Sequence, residues 1–121
     1  MTDANYIPAH HPQDYELLMM GIFGKENNVI LADSVMICDG NGNVLCVHES
    51  YENYFGVTPD YVIGKNVFDL EQEGIFYPSV TRMVIQQRQR VVTTQRNRDG
   101  TLILTTGIPI FQESGEIRFI V

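Results

Sequence analysis

The sequence has few of the residues that most often carry chemistry. Among 121 residues there are two cysteines, three histidines and no tryptophan. Cys38 and Cys46 are too few for a disulfide framework, and neither belongs to a C-x-x-C pair. The histidines lack the spacing of metal ligands, and no phosphate-binding loop or nucleophile motif occurs. The sequence therefore indicates neither a metal protein nor an enzyme of a common class.

Long apolar runs and an excess of positive charge are missing as well. No apolar run exceeds about five residues, which is too short to span a bilayer. The N-terminus has no basic region followed by an apolar one, as a secretory signal would. We therefore expect a cytoplasmic protein that does not bind membranes. Fifteen acidic residues against eight basic ones give a formal net charge of −7, which disfavours nucleic-acid binding by this chain.

The basic residues are unevenly distributed. Five arginines share a 17-residue window without an acidic residue, and the rest of the chain is strongly acidic. These arginines are Arg82, Arg88, Arg90, Arg96 and Arg98. The pattern predicts one basic and one acidic side of the molecule, although an ordinary solvated helix and strand face explains it more simply.

Residues 1–33 are predicted to form a flexible leader and a helical segment ahead of the main domain, residues 34–121. Beyond Pro12, apolar residues recur at the spacing of one helical stripe, which predicts an amphipathic helix over residues 14–23. The stripe consists of Tyr15, Leu18, Met19, Ile22 and Phe23. The sheet or a second copy of the chain must cover this stripe, and we predict that it forms part of a homodimer interface.

The main domain mixes strands with short helices. Two β-rich runs, 35–39 and 44–48, flank a turn rich in glycine and asparagine and predict a hairpin. Glycine-interrupted short helices follow, and a longer helix is predicted over 79–90. The remaining strands are predicted at 91–98, 101–111 and 117–121. Because the chain stops inside the last predicted strand, we expect the parent protein to continue beyond residue 121.

Turn geometry predicts which side chains of the first hairpin share a face. With a symmetric loop, Cys38 lies opposite Leu45. Cys38 and Cys46 then point to opposite faces of the sheet and stay free thiols, although a bulge would shift this register.

The Asp99-Gly100 pair predicts a second hairpin with a two-residue turn. In that register Gln95 lies opposite Leu104, and both Gln95 and Asn97 belong to the apolar face that carries Leu104. A buried amide needs a hydrogen-bonding partner, which a ligand, the backbone or water could provide. If the partner is a ligand, Gln95→Leu should weaken its binding and leave the fold intact.

Several segments resemble a PAS domain. MICDGNG, YFGVT and VIGKNVFDL, which begin at residues 36, 54 and 62, are similar to motifs of that family. EGIFYPSV and TGIPIF, which begin at residues 73 and 106, resemble the N-terminal PAS modules of bacterial sigma-54-dependent transcriptional activators. The resemblance covers residues 30–121.

The resemblance implies an α+β PAS fold, with a five-stranded antiparallel sheet, short helices on one face and an N-terminal amphipathic helix. It implies a sensory domain without catalytic activity, which binds an unidentified small molecule and regulates such an activator. The ATPase and helix-turn-helix DNA-binding domains would then belong to other parts of the parent chain. The candidate pocket residues are Tyr54, Phe68, Met83, Gln95, Asn97 and Leu104.

The sequence supports no prosthetic group. Val67 stands where the resembling light-sensing PAS domains carry the cysteine that forms the flavin adduct. The long helix, 79–90, contains neither histidine nor cysteine, so the usual axial ligand of haem-binding relatives is missing.

Two other functions remain open. The domain is a ligand-free dimerisation scaffold if aromatic side chains such as Phe55, Phe68 and Phe76 fill the cavity. A small α+β enzyme would need a nucleophile and a base, and Cys46 and His48 are the only such pair near each other in the sequence.

Overall fold

The structure is a computed structural model that describes residues 35–48 and 51–121, apart from the side chains of Tyr51 and Tyr54. The leader and the predicted helix 14–23 lie outside the described residues. The same holds for every residue of the predicted stripe: Tyr15, Leu18, Met19, Ile22 and Phe23.

The described residues alternate short helices with antiparallel strands. The helices are α1 (Tyr51–Phe55), α2 (Pro59–Val62), α3 (Val67–Gln72) and α4 (Val80–Gln87). The strands are β1 (Met36–Asp39), β2 (Val44–Val47), β3 (Phe76–Tyr77), β4 (Val91–Asn97), β5 (Leu102–Gly107), β6 (Pro109–Phe111) and β7 (Ile117–Ile120). No helix within this part of the chain is both long and apolar enough to cross a membrane.

The strands form two sheets where we predicted a single sheet of five. One sheet has four strands in the order β2-β1-β7-β6, and the other has three in the order β3-β4-β5. The predicted strand 101–111 is divided at Ile108, because β5 pairs with β4 whereas β6 pairs with β7. Pro109 follows directly and has no N–H to continue the ladder. The prediction also missed β3, which has only two residues.

The core lies between the sheets and the helices. Helices α2, α3 and α4 each bury apolar side chains against the face of the sheets that is turned toward the helices, which we call the inner face. This agrees with the prediction that the helices cover one face. The buried core residues are Cys38, Val44, Val47, Phe55, Val57, Val62, Val67, Leu70, Ile75, Phe76, Val84, Val91 and Ile120. A smaller cluster of Ile37, Cys46 and Phe119 is separate from this core.

Both cysteines are free and buried, as predicted. Cys38 belongs to the inner core and Cys46 to the smaller cluster, so the two thiols point to opposite faces of the sheet. The register has a bulge, in which Ile37 pairs with Cys46 and Cys38 pairs with Val44. The predicted pairing of Cys38 with Leu45 was therefore wrong, but the predicted separation of the thiols is confirmed.

Burial of Cys38 makes the folded state less stable at alkaline pH. Desolvation raises the pKa of its thiol far above the ordinary value, and a hydrogen bond with Thr81 lowers it by less. In the unfolded chain the thiol ionises near pH 8.5 (about the ordinary value). The stabilisation is therefore complete below that pH and is lost as the pH rises toward the folded-state pKa.

Above the unfolded-state pKa of the thiol, we expect the free energy of unfolding to decrease more steeply with pH in the wild type than in Cys38→Ala. The difference between the two slopes should reach about 1.4 kcal/mol per pH unit. Urea unfolding below and above the thiol's unfolded-state pKa measures both slopes. Equal slopes for the two proteins would contradict the prediction.

The hairpin between β4 and β5 has a longer loop than predicted. Asn97 N–H donates to the Thr101 carbonyl oxygen at 2.9 Å, so three residues form the loop. Gly100, the last of them, adopts a left-handed φ of 90°. Asp99 Oδ1 accepts a hydrogen bond from Thr101 N at 2.9 Å, which supports this turn in place of the two-residue one.

The longer loop shifts the register by one residue. Gln95 lies opposite Ile103, and Thr94 lies opposite Leu104. Because a shift of one residue exchanges the two faces of a strand, Leu102 and Leu104 point away from the helices. Gln95 keeps its predicted place on the buried face.

Candidate functional site

The predicted pocket residues divide into an inner group and an outer group. Gln95 and Asn97 lie on the inner face of β4 and are only 5% and 7% exposed. Met83 of α4 is partly buried and packs against the core. The structure therefore places two amides and a methionine on the side of the sheet that faces the helices.

The other predicted pocket residues do not join this group. Leu104 is 74% exposed on the opposite face of the sheet, so its predicted place in the pocket was wrong because of the register shift. Phe68, the second residue of α3, is 39% exposed. The side chain of Tyr54 lies outside the described residues.

Gln95 connects β4 to the start of α4. Its Oε1 accepts a hydrogen bond from Val80 N, the first amide of the helix, at 2.8 Å. Ser79 is the N-cap, and its Oγ accepts from Arg82 N at 3.1 Å. Because the first amides of a helix have no partner within it, Gln95 and Ser79 together satisfy two partly buried donors that would otherwise be unpaired. Of the possible amide partners, the backbone is therefore the one found for Gln95.

A partly buried ion pair joins the same helix start to α3. Glu71 Oε1 lies 2.9 Å from Arg82 Nε, and the two side chains are 12% and 22% exposed. Glu71 Oε2 also accepts from Ser79 N at 2.8 Å. The start of α4 is thus held from the strand side by Gln95 and from the helix side by Glu71.

The sequence indicated only part of this arrangement. The Pro78-Ser79 pair before an apolar stripe is a typical helix start. It indicates where α4 begins, and Ser79 is the N-cap of that helix. Glu71 and Arg82 are eleven residues apart and on different helices, so no local spacing connects them.

Close packing leaves little room elsewhere on the inner face. The rings of Phe55 and Phe76 meet edge to face, with centroids 6.0 Å apart, and both side chains are buried. A Cβ placed on Gly107 would lie 2.6 Å from Val84 Cγ2, which means that α4 is in close contact with the backbone of β5.

A groove of about 630 Å³ lies at one end of the four-stranded sheet, away from the predicted pocket. It runs between the β1–β2 turn, the last turn of α4 and the β6–β7 turn, and its lining includes Asp39, Arg88 and Glu116. Asp39 is already bonded, since Oδ1 accepts from the amides of Asn41 and Asn43 at 2.9 Å each. The groove contains none of the predicted pocket residues.

The described residues offer no obvious place for a metal. No group of three or more histidine, cysteine, aspartate or glutamate side chains among them could hold an ion. Val67, which stands at the position of the cysteine in light-sensing PAS domains, is fully buried at the start of α3. Cys46, the candidate nucleophile of the alternative enzyme, is 1% exposed.

Comparison with known proteins gives a consistent result. The family model of the PAS fold matches residues 26–121, and 124 chains of solved structures match. The PAS domain of BvgS from Bordetella pertussis is 21% identical, with a TM-score of 0.53 over 89% of this chain and 82% of that one. The light-state dimer of the fungal blue-light photoreceptor Vivid is 17% identical, with a TM-score of 0.57 over 98% of this chain and 96% of that one.

A sensory box sensor histidine kinase from Vibrio cholerae is also 17% identical, with a TM-score of 0.53 over 89% of this chain and 88% of that chain. No curated protein matches the chain. The structural likeness at these identities shows the fold alone, whereas the family model covers most of the chain. The chain belongs to the PAS-fold family.

Proposed function

We propose that this domain regulates a sigma-54-dependent transcriptional activator in response to a small molecule that binds at the inner face of β4. The observation that carries the proposal is the pair of buried amides, Gln95 and Asn97, on the inner face of β4. Buried amides of this kind give a site its specificity, because a ligand that fails to match them leaves polar groups unpaired.

Gln95 also suggests how the signal would leave the site. Its Oε1 is the hydrogen-bond acceptor for the first amide of α4. A ligand that competes for the Gln95 amide changes how firmly α4 is held to β4. Binding would then shift the population between two packings of α4 on the sheet, which is sufficient for regulation.

The assignment to sigma-54-dependent activators rests on the two segments that begin at Glu73 and Thr106. In the proposed parent protein, separate ATPase and helix-turn-helix domains act on the polymerase and on DNA. This domain would dimerise and would neither catalyse a reaction nor contact nucleic acid. The fungal photoreceptor Vivid, which shares the fold, is described as a dimer in its light state.

The packing of the inner face favours a second candidate function, a ligand-free dimerisation scaffold. Phe55 and Phe76 fill part of the space between sheet and helices, and Val84 is tightly packed against Gly107. Phe68 does not contribute to this filling, because its side chain is partly exposed.

Thermal unfolding of the wild type with a metabolite library distinguishes the two functions. A ligand present at about 100 times its Kd adds about 2.7 kcal/mol to the stability of the folded state. For a domain of this size we expect the melting temperature to rise by roughly 10 °C. If no metabolite raises it, the scaffold replaces the sensor as the proposed function.

A further inference from the structure

The groove at the end of the four-stranded sheet contains two opposite charges that are not paired with each other. Arg88 and Glu116 both line it. Within the described part of the chain, the Arg88 guanidinium donates a single hydrogen bond, from NH2 to the Gly115 carbonyl oxygen. The Glu116 carboxylate makes no hydrogen bond or ion pair there. Both charged groups are therefore available to a molecule that enters the groove.

Arg88 is held in place although its side chain is exposed. It ends α4 with a φ of 56° and a ψ of 38°, and it is the one non-glycine residue with a positive φ among those that the structure describes. Residues in this left-handed conformation are strained and are found most often at functional sites. Its guanidinium carbon lies 5.4 Å from the ring centroid of Phe111. The ring and Gly115 fix the guanidinium, while most of its five N–H donors stay available.

Glu116 lies directly beside this fixed guanidinium. Gly115, whose carbonyl oxygen accepts the hydrogen bond from Arg88, immediately precedes Glu116 in the β6–β7 turn. The groove therefore presents a cation and an anion side by side. An α-amino acid has the complementary arrangement, because its carboxylate and its ammonium group are attached to one carbon. A guanidinium matches a carboxylate through two parallel N–H donors.

The other charges of the groove disfavour a ligand of a single sign. Asp39 and Arg118 also line it, so two acidic and two basic side chains face the same space. The Asp39 carboxylate is occupied by its own turn, since it accepts from the amides of Asn41 and Asn43 and from Asn43 Nδ2 at 3.0 Å. A purely anionic or cationic ligand would meet as much repulsion as attraction, whereas a zwitterion meets both charges favourably.

The remaining lining is suited to an apolar side chain. Leu45, Ile85 and Phe119 contribute to the wall of the groove. Its volume of about 630 Å³ is within the range of small-molecule sites, roughly 300–1,000 Å³. The groove therefore has room for an amino acid whose side chain is branched and apolar.

We propose that this groove binds a free α-amino acid with an apolar side chain, with its carboxylate on Arg88 and its ammonium group on Glu116. The bound molecule joins the end of α4 to the β6–β7 turn. The inference does not rest on the ligand proposed for the inner face of β4, because the two sites share no residue.

Three related probes test the recognition of both charges. The full chain is titrated with L-leucine, with 4-methylpentanoate, which lacks the ammonium group, and with isoamylamine, which lacks the carboxylate. Amide chemical shifts measured by NMR give the affinity and the location. We expect L-leucine to shift the amides of Gly40, Arg88 and Gly115 and to bind at least about fivefold more tightly than either analogue, because each analogue loses one charged contact.

Variants assign each charge to its partner. Arg88→Gln should weaken L-leucine at least about fivefold but leave isoamylamine unchanged, because that amine has no carboxylate. Glu116→Gln should weaken L-leucine as much and leave 4-methylpentanoate unchanged. Arg90→Gln and Glu113→Gln make the same charge changes at exposed positions outside the groove and should have no effect. Since the Glu116 carboxylate makes no contact of its own, Glu116→Gln keeps the test decisive even if Arg88→Gln fails to fold.

Three results would overturn the proposal. The first is that L-leucine shifts no amide of the groove. The second is that it binds no better than its analogues, or as tightly to Glu116→Gln as to the wild type. The third is an affinity that falls in Gln95→Leu but not in the groove variants, which would place the amino acid at the inner face of β4 and support the sensory site there instead.

Discussion

Gly40→Ala is expected to lower the free energy of unfolding by about 3 kcal/mol or more, at the upper end of the range for overpacking. Gly40 lies in the β1–β2 turn, where a Cβ would lie 2.1 Å from the carbonyl oxygen of Ile117. That oxygen belongs to the backbone of β7, which cannot rotate away as a flexible side chain would. The methyl group therefore forces the turn and β7 apart, next to the pairs Cys38–Ile120 and Asp39–Phe119.

Gly100→Ala is the matched control, because it adds the same methyl group to another turn. A Cβ on Gly100 would meet nothing within 4 Å, but the residue has a φ of +90°. The control therefore reports only the cost of a left-handed alanine, about 1 kcal/mol. Urea unfolding measures both variants, and an equal or larger loss for Gly100→Ala would show that the contact between Gly40 and Ile117 is not tight.

The sequence was sufficient for features that depend on local chemistry. The β1–β2 hairpin follows from two β-rich runs around glycine and asparagine, and α4 follows from Pro78-Ser79 and its stripe. Helix α2 begins at Pro59, directly after its N-cap Thr58, although the Thr58 side chain makes no capping hydrogen bond. Each of these elements is specified within a few residues of itself.

The register of the β4–β5 hairpin could not be obtained in the same way. An Asp-Gly pair suits both a two-residue turn and the final positions of a three-residue loop. The choice moves Leu104 from the buried face to the exposed one, so one ambiguous turn caused the main error in the predicted pocket. Because Leu102 and Leu104 are apolar, the sequence favoured the register that buries them. In the structure both side chains are exposed.

The contacts at the start of α4 were unpredictable for a different reason. The Gln95–Val80 bond spans 15 residues and the Glu71–Arg82 pair spans 11. Each depends on how α4 lies between β4 and α3. The sequence predicted that Gln95 would face the core, but the identity of its partner required the three-dimensional structure.

Gln95→Leu is expected to destabilise the domain by roughly 1–3 kcal/mol, because it leaves the partly buried amide of Val80 without an acceptor. From the sequence alone, this substitution is predicted to leave the fold intact. The hydrogen bond from Val80 N to Gln95 Oε1, 2.8 Å long, reverses that expectation. Leucine offers no acceptor, so the first amide of α4 loses its partner in a partly buried position.

Gln95→Glu is the matched control because it keeps an acceptor oxygen at nearly the same place. A carboxylate at the start of a helix also interacts favourably with the helix dipole. Urea unfolding gives the stability of both variants, and amide hydrogen exchange of Val80 gives the local effect. We expect faster exchange in Gln95→Leu than in Gln95→Glu, since only leucine abolishes the acceptor.

The same two variants distinguish an anchoring role of Gln95 from a ligand-binding one. If a metabolite raises the melting temperature of the wild type, calorimetry should show its affinity reduced about tenfold or more in Gln95→Leu, the loss that one unpaired buried group causes. An unchanged affinity would place the ligand away from Gln95 and leave the residue as an anchor of α4 only. If instead Gln95→Leu is as stable as the wild type and the exchange of Val80 is unaltered, the anchor itself is disproved, and with it the route by which a ligand would move α4.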